Sequence, residues 1–353
     1  YYNLKIITSV LLWPLILAGK YSWSYVDQLN WSNIANSQCG GSMQSPINII
    51  SSDLKPLYLR QPFELTKIDT VTGFGTKPKQ LMSNGHALQL NYDIDQPILL
   101  EPGEGDLPSD VGYQCPQIHI HAANGNGSEH LIDGNKYFGE LHIVCFSRKY
   151  KTLDKAVNNG IKTGDTASLA VLAFFINIVQ PSSNNNNLNN QPGSNSKQQE
   201  NSLFRQLNNM RQKDWYSLGR GQIKILDTDI ESHAVFCNGG YDIELKQIRG
   251  NKFYRYDGSF TTPPCTEPVT WTVFQDPINI TFAQATEYMY KLSISMPRRR
   301  EVIYNNRFAQ DLNGRVVYQT SGAASMRKNR RGFLSVQIAV LIFCQIFSLF
   351  EFT

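Results

Sequence analysis

Short runs rich in valine, isoleucine, tyrosine and phenylalanine alternate with glycine, proline and asparagine along the central part of the chain. Runs of this kind, bounded by residues that favour turns, predict β-strands. Segments with a helical spacing of apolar residues are sparse. The pattern therefore predicts a mostly β protein with a few short surface helices. The predicted strands cover residues 86–93, 117–122, 141–148, 169–179 and 269–274, and the predicted helices cover 201–213 and 282–292.

One segment breaks this pattern. Residues 181–199 are almost entirely Asn, Ser, Gln, Gly and Pro. Such a segment cannot bury enough apolar area to offset the entropy of ordering it, which predicts a disordered surface loop. A predicted strand precedes it and a predicted helix follows at once, so we interpret it as an insert within one domain that covers residues 20–320.

Composition and charge narrow the function classes. Apolar residues make up 41% of the 353 residues and charged residues 18%, which supports a folded core and excludes a fully disordered chain. The net charge is only +4, and much of the basic excess lies in two short runs, 298–300 and 327–331. No nucleic-acid partner is expected from this distribution. Six cysteines are too few for a disulfide scaffold but can form one or two bridges.

The N-terminal segment resembles an export signal. An apolar run over residues 6–18 follows Lys5 and is followed by the small residues Ala18 and Gly19. The run is too short for a comfortable membrane span, which favours a signal peptide over residues 1–19. The alternative is a buried structural element.

The C-terminal segment, residues 321–353, predicts membrane attachment. Small residues at 321–325, a polar basic spacer at 326–332 and an apolar run at 333–350 follow the order of a glycolipid (GPI) anchor signal. A single spanning helix is the alternative, since 18 apolar residues can just cross a bilayer. A span would leave the basic cluster outside the cell, against the positive-inside tendency. We therefore expect the outer face of the plasma membrane, with a spanning or secreted form as the alternative.

Three Asn-X-Ser/Thr triplets agree with export. They begin at the glycosylation candidates Asn30, Asn126 and Asn279. Such triplets also arise by chance in an Asn-rich chain, so they only support the prediction. An exported chain meets oxidising conditions, in which its cysteines can pair.

Two predicted strands carry histidines on one face. Side chains alternate along a strand, so His119 and His121 share a face, and Glu140 and His142 share one on the other strand. Three converging imidazoles with one open position are typical of catalytic zinc, although copper, nickel or iron also accept imidazole. Gln117 and Glu140 each precede a histidine by two residues, where an oxygen can orient a ligating ring. Three ordinary half-buried histidines are the alternative.

Several segments together resemble the α-class carbonic anhydrases, especially their secreted and membrane-anchored members. The resemblance covers about residues 23–311 and is interrupted mainly by the Asn-rich insert. The segments occur in the family's order and approximate spacing, which makes the joint signal specific. They are QSPINI (44–49), NGHA (84–87), QIHIH (117–121), GSEH (127–130), ELH (140–142) and GSFTTPPC (258–265).

The resemblance implies a fold and an activity. The fold is a single domain with a large, mainly antiparallel central sheet and zinc at the base of a conical cleft. The activity is the reversible hydration of CO2 to bicarbonate and a proton by zinc-hydroxide attack, at the cell exterior. Sulfonamides and anions are the inhibitors that the resemblance implies.

The resemblance also assigns residues to roles. His119, His121 and His142 would bind Zn2+. Thr261 would accept the hydroxide proton and donate its hydroxyl to Glu129, and Thr262 would line the reaction site with Thr261. His86 would shuttle the proton. Gln117, Glu140 and the backbone near Asn305 would orient the ligand rings. Tyr25, Asn84 and Gln89 would hold the water molecules through which the proton leaves. The apolar wall that receives the substrate would consist of Val144, Leu169, Val171, Phe260, Val269 and Trp271.

The cysteines divide into two possible pairs and two others. Cys39 and Cys265 match the bridge of extracellular family members. Cys115 and Cys145 flank the histidine strands and could form a second bridge if those strands pair antiparallel. Cys344 lies in the apolar tail and would leave with it, so Cys237 would remain unpaired.

The main rival is a binding or adhesion role. Some carbonic-anhydrase-like domains have lost zinc ligands and act as interaction modules. Their expected mark is a missing ligand, and all three predicted ligands are present in this sequence. The sequence therefore favours an enzyme.

Overall fold

The computed structural model describes residues 23–63, 78–92, 97–179, 200–219, 224–225, 252–295 and 304–321. Its strands are β1 (Asn48–Ile49), β2 (Lys55–Leu57), β3 (Pro78–Ser83), β4 (Leu88–Tyr92), β5 (Ile98–Leu100), β6 (Tyr113–Ala122), β7 (Leu131–Ile132), β8 (Gly139–Ser147), β9 (Leu169–Val179), β10 (Lys224–Ile225), β11 (Phe253–Gly258), β12 (Val269–Thr281) and β13 (Tyr318–Thr320). Its α-helices are α1 (Leu153–Thr163), α2 (Ser202–Asn209), α3 (Gln212–Gly219) and α4 (Phe282–Ser295). Short 3-10 helices cover Tyr25–Asn33, Ser51–Asp53 and Glu104–Asp106.

Eleven of the described strands form one large sheet. Its order is β10-β3-β4-β6-β8-β9-β12-β11-β13-β2, and β5 pairs with β6. Most neighbours run antiparallel, as expected, but β9 with β12 and β2 with β13 run parallel. The sheet is therefore mixed. The mostly β fold and the five predicted strands are confirmed, with β6 and β12 longer than predicted.

The sheet separates two hydrophobic cores because side chains alternate between its faces. One core contains Ile118 and Ile143 of the central strands together with apolar residues of α2, α3 and α4. The other contains Val171 and Trp271 together with Leu153 of α1. The central strands are buried on both faces, so they keep fixed positions from which side chains can be aimed.

The helix predicted over residues 201–213 is two helices in the structure. Asn201 caps α2, its side chain accepting a hydrogen bond from the Phe204 amide. The helix ends at Met210, whose backbone is extended. The buried Lys291 ammonium of α4 donates to the carbonyls of Asn208 and Met210. These carbonyls are satisfied from outside the helix, so the chain can turn before α3 begins.

Both proposed cysteine pairs are disulfides in the structure. Cys39 bonds to Cys265, 226 residues away, and Cys115 bonds to Cys145, 30 residues away. The second bridge joins β6 and β8, which pair antiparallel. Cys237 and Cys344 lie outside the described residues.

The three predicted glycosylation sites differ in position. Asn30 and Asn126 are exposed. Asn279 is half-buried within β12, and its side-chain oxygen accepts a hydrogen bond from Asn177 of the neighbouring strand at 3.3 Å. Of the three, Asn30 and Asn126 therefore have the exposure that attachment of a glycan requires.

Three other predicted segments fall outside the described residues. They are the signal peptide at 1–19, the insert at 181–199 and nearly all of the C-terminal segment at 321–353. Within the part of the chain that the structure describes, no helix combines the length and the apolar character that crossing a membrane requires.

Candidate metal centre

The three predicted ligand histidines come together on the central strands. In the antiparallel pair β6 and β8, His119 lies opposite His142 and His121 lies opposite Glu140. Ile118 and Ile120 point to the opposite face, into the core. The alternation seen in the sequence therefore directs all three imidazoles to one side of the sheet.

Hydrogen bonds on the outer nitrogens orient two of the rings. His119 Nδ1 lies 3.0 Å from Gln117 Oε1, and His142 Nε2 lies 2.8 Å from Glu140 Oε1. An amide oxygen and a carboxylate oxygen can only accept, so each of these ring nitrogens donates. The inner nitrogens, His119 Nε2 and His142 Nδ1, therefore carry lone pairs.

The third ring is oriented from another part of the chain. His121 Nδ1 donates to the backbone carbonyl of Asn305 at 2.6 Å, which leaves the lone pair on Nε2. The buried Asn305 side chain accepts from the Ala122 amide and donates to the carbonyls of Ile120 and His86. One asparagine therefore ties the ligand strand to the turn that carries His86.

The donor set fits a tetrahedral zinc ion. Two lone-pair nitrogens, His119 Nε2 and His142 Nδ1, face each other at 3.3 Å. Zn–N bonds of about 2.0–2.1 Å in a tetrahedron place ligand nitrogens about 3.3 Å apart. His121 Nε2 is buried and has no hydrogen-bond partner among the described residues. One cation between the three nitrogens would satisfy all of them.

The electrostatics favour the neutral form of His119 and His121. Burial lowers the pKa of His119 well below its usual value, and the neighbouring His121 and His142 lower it further. Burial also lowers the pKa of His121, against the opposing charge of Glu129. Metal binding requires neutral imidazole, so the fold presents these two rings in the competent form.

Glu140 is the buried anion behind the site. Burial alone would raise its pKa, but the charge of His130 and hydrogen bonds from His130 and His142 outweigh burial and hold the pKa well below its usual range. Its other oxygen accepts from the backbone amides of Glu129 and His130. His130 also contacts the Tyr256 hydroxyl at 2.7 Å. Both His130 nitrogens are thus engaged, one by Glu140 and one by Tyr256. This ring therefore supports Glu140, which in turn orients His142 toward the metal position.

The three imidazoles lie at the base of a cleft with two different walls. Three of the four residues on the polar wall were predicted to hold water, and the fourth is His86. Leu169 and Val269, predicted for the apolar wall, do not line the cleft. They share strand faces with Val171 and Trp271 but lie two residues earlier, at the first positions of β9 and β12, where they pack in the core that contains Leu153 of α1. The polar wall has Tyr25, Asn84, His86 and Gln89, and the apolar wall has Val144, Val171, Phe260 and Trp271.

His86 is held by its own turn and by an aromatic ring. The Asn84 side chain accepts from the backbone amides of His86 and Ala87 at 2.9 and 2.7 Å. The ring of Trp23 stacks on the His86 imidazole with centroids 3.5 Å apart. The role of Trp23 was missed, because nothing in the sequence relates two residues separated by a stretch of that length.

Thr261 and Thr262 line the cleft, whereas Glu129 is fully buried beside it. Glu129 Oε1 accepts from the Arg307 amide at 2.8 Å. Glu129 Oε2 lies 3.5 Å from His121 Nε2 and has no hydrogen-bond partner among the described residues. The hydrogen bond expected from the Thr261 hydroxyl is therefore not formed in this structure, although the acceptor for it is present.

Comparison with known proteins agrees with this geometry. The family model of the eukaryotic-type carbonic anhydrases matches residues 26–321. Carbonic anhydrase 12 of Homo sapiens is 31% identical over 308 residues, covering 84% of this chain and 72% of the relative. Carbonic anhydrase 4 of Rattus norvegicus is 28% identical, covering 82% and 79%, and carbonic anhydrase 6 of Bos taurus is 28% identical, covering 88% and 84%. The chain therefore belongs to the eukaryotic-type carbonic anhydrase family.

Proposed function

We propose that this chain is a zinc-dependent carbonic anhydrase that interconverts CO2 and bicarbonate. The observation that carries the proposal is the convergence of three imidazoles at the base of a cleft, each ring held from behind by an oxygen. Three protein ligands leave a coordination position open, as catalytic zinc sites do. Metal analysis and a stopped-flow CO2 hydration assay on the purified chain test it. One zinc per chain with rapid hydration is expected, and aromatic sulfonamides should inhibit.

His119, His121 and His142 would hold the metal in this mechanism, and Gln117, Glu140 and the Asn305 carbonyl would fix the rings. Zinc bound there would supply a nucleophile from water at neutral pH by lowering the pKa of water to about 7, a value established for carbonic anhydrases. Orienting groups of this kind raise the basicity of the ligand and hold its tautomer. The charge of Glu140 reaches the metal position through His142 in this way.

The apolar wall would receive the substrate. Val144, Val171 and Trp271 are almost fully buried and border the cleft close to the histidines. CO2 is apolar, and a wall that excludes water places it beside the nucleophile without competition from solvent. Phe260, where the resemblance implies that leucine is more usual, stands on the same wall and would narrow the mouth of the cleft.

Thr261 and Glu129 would orient the nucleophile. The Thr261 hydroxyl would accept a hydrogen bond from the nucleophile and donate its own proton to Glu129 Oε2. This oxygen is buried and lacks a donor among the described residues, which supports the pairing because an unsatisfied buried carboxylate oxygen is costly. The backbone N–H of Thr261 and the side chain of Thr262 would then face the substrate oxygen.

His86 would carry the proton to solvent. It lies on the polar cleft wall with Tyr25, Asn84 and Gln89, whose polar groups can hold the connecting water molecules. An imidazole with an ordinary pKa near 6.5 can accept and release a proton at neutral pH. The Asn84 turn and the Trp23 stack hold the ring at the side of the cleft.

Replacing His86 with alanine should slow CO2 hydration in dilute buffer. Proton export limits the rate when buffer is scarce, and loss of a positioned proton carrier costs on the order of a hundredfold. The measurement is turnover by stopped flow as a function of buffer concentration. Small imidazole buffers should restore much of the rate in the variant.

The control for this experiment is the same variant in concentrated buffer. Buffer molecules then carry the proton, so the His86→Ala chain should recover most of the wild-type rate and retain its zinc. An unchanged rate in dilute buffer would show that another group exports the proton and would remove His86 from the mechanism.

We further propose that the enzyme is exported and attached to the outer face of the plasma membrane. The apolar run behind Lys5 supports a signal peptide over 1–19, and the small residues, basic spacer and apolar run of 321–353 support a glycolipid anchor. Two disulfides within the folded domain agree with an oxidising compartment. The folded domain of residues 20–320 would then act outside the cell, with glycans at Asn30 and Asn126.

Treating intact cells with phosphatidylinositol-specific phospholipase should release active enzyme into the medium. The phospholipase cuts the glycolipid and leaves the folded domain intact, so more than half of the carbonic anhydrase activity on the cell surface should move to the supernatant. The control is a chain with residues 321–353 replaced by a known spanning helix, which should stay on the cells. Retention of the natural chain, with the 333–350 peptide still present, would identify a spanning helix instead.

A further inference from the structure

Strand β6 carries one more residue than its partner just before the ligand histidines. Gln114 pairs with Phe146 of β8, but the next ladder pair joins Gln117 to Val144. Cys115 and Pro116 therefore stand opposite the single residue Cys145. Two residues opposite one is the arrangement of a β-bulge.

The bulge changes which face of the sheet each side chain meets. The core that contains residues of α2, α3 and α4 is called the helix-covered core. Tyr113 and Cys115 lie in it before the bulge, and Ile118 and Ile120 lie in it after the bulge. Strict alternation would place Cys115 on the same face as Gln117 and His119. The extra residue thus keeps the apolar residues of both halves in one core and turns the histidines toward the cleft.

A slip of one residue at this point would reverse the arrangement. Side chains alternate with a period of two, so such a shift would move His119 and His121 into the core and the isoleucines into the cleft. It would also separate His119 from its position opposite His142. The metal centre therefore depends on the bulge staying where it is.

The neighbouring strands pair with β6 on either side of the bulge but not at Pro116, since β5 pairs with it as far as Cys115 and β4 pairs with it from Gln117 onward. Pro116 has no N–H and cannot donate a ladder hydrogen bond. The Cys115–Cys145 disulfide joins the two strands at this position, and both cysteines are fully buried in the helix-covered core. On β8, Cys145 alternates regularly with Ile143 and Leu141, so the irregularity lies on β6 alone.

We propose that the Cys115–Cys145 disulfide locks the β6 bulge and thereby fixes the register in which His119 and His142 face the metal. The two cysteines are positioning residues, because they act through Gln117 and the histidines and touch neither metal nor substrate. The inference rests on the proposed zinc site and deepens it by assigning what holds the ligand strands in place before the metal binds.

The test compares the two disulfides. The variant C115A/C145A in the full chain should bind zinc on the order of tenfold more weakly than the wild type, the lower end of the cost of losing a group that orients a ligand. Its cobalt-substituted form should show an altered visible absorption spectrum, since that spectrum reports the ligand geometry. Zinc affinity is measured by competition with a chelator, and no CO2 assay is needed.

C39A/C265A is the matched control. The Cys39–Cys265 bridge closes a loop of 226 residues, whereas the Cys115–Cys145 bridge closes a loop of 30. Its removal should therefore lower the free energy of unfolding more than removal of Cys115–Cys145 does. Neither Cys39 nor Cys265 lies on β6 or β8, and both pack in a separate cluster with Tyr25 and Trp31, so zinc affinity should stay within about twofold of the wild type. Wild-type affinity and spectrum in C115A/C145A would overturn the proposal and leave this bridge a plain stabiliser. A wild-type chain that binds no zinc would instead overturn the proposed function.

Hydrogen exchange on the wild-type chain tests the proposal even if C115A/C145A does not fold. The amides of residues 117–121 should be equally protected with zinc and after zinc removal, because the bridge already sets the register. Loss of their protection on zinc removal, with the disulfide intact by peptide mapping, would show that the metal and not the bridge holds the strands, and the proposal would fail.

Discussion

Removing zinc from the folded chain should lower CO2 hydration by about four orders of magnitude, and adding zinc back should restore it. Three imidazoles supply the donors, and among the described residues no lysine or arginine lines the cleft. Metal-ion activation contributes several kcal/mol to such reactions, and about 5 kcal/mol corresponds to about 10⁴ in rate. The measurement is hydration by stopped flow after dialysis against a chelator and after stepwise addition of zinc.

Two controls make this result specific. Magnesium should not restore activity, because it prefers oxygen ligands to imidazole. His142→Ala should need far more zinc for any recovery, since only two ligand histidines remain. Full activity in a chain shown by metal analysis to be metal-free would refute the zinc mechanism.

Replacing Cys39 with serine should lower both stability and activity. The Cys39–Cys265 bridge closes a loop of 226 residues, for which chain-entropy models give about 5 kcal/mol of stabilisation. The free energy of unfolding, measured with guanidinium, should fall by about that amount. C39S/C265S should fall by a similar amount, which separates loss of the bridge from any effect of a free Cys265 thiol.

The activity loss follows from where Cys265 lies. Its backbone has a φ of 55°, which is strained for a residue with a side chain. Its amide donates to the Thr262 carbonyl, and the Phe260 amide donates to the Thr266 carbonyl, so this bend shapes the loop that carries Thr261. A displacement of about 1 Å there costs on the order of a hundredfold in rate. Free thiols at both positions in secreted, active protein would contradict this prediction.

The local pattern predicted the strands and much of the metal centre. Alternation along QIHIH and ELH placed three imidazoles on one face, and the oxygens two residues before His119 and His142 are bonded to those rings. These relations follow from strand geometry over a few residues, which a single sequence records. Other roles, those of His86, Thr261 and Glu129 among them, came from the resemblance to the carbonic anhydrases and not from the pattern.

The sequence marks both ends of one helix that the pattern of apolar residues did not predict. Helix α1 was missed, although Thr152 caps its start by accepting from the Lys155 amide and Gly164 ends it with a φ of 63°. A threonine cap and a C-terminal glycine are sequence signatures of helix ends. The break between α2 and α3 has no such signature, because it depends on Lys291 from a helix about 80 residues away.

The sequence by itself determined the strand faces, the candidate ligand histidines and the residue types that orient two of them, because these depend on neighbours along one strand. Only the tertiary structure decided the contacts between distant segments. The Asn305 carbonyl accepts from His121, and Trp23 stacks on His86. Leu169 and Val269 pack in a core and do not line the cleft. The register of β6 against β8 belongs with these. An extra residue in one strand is visible only against its partner, so the bulge at Cys115 emerged when the two strands were paired.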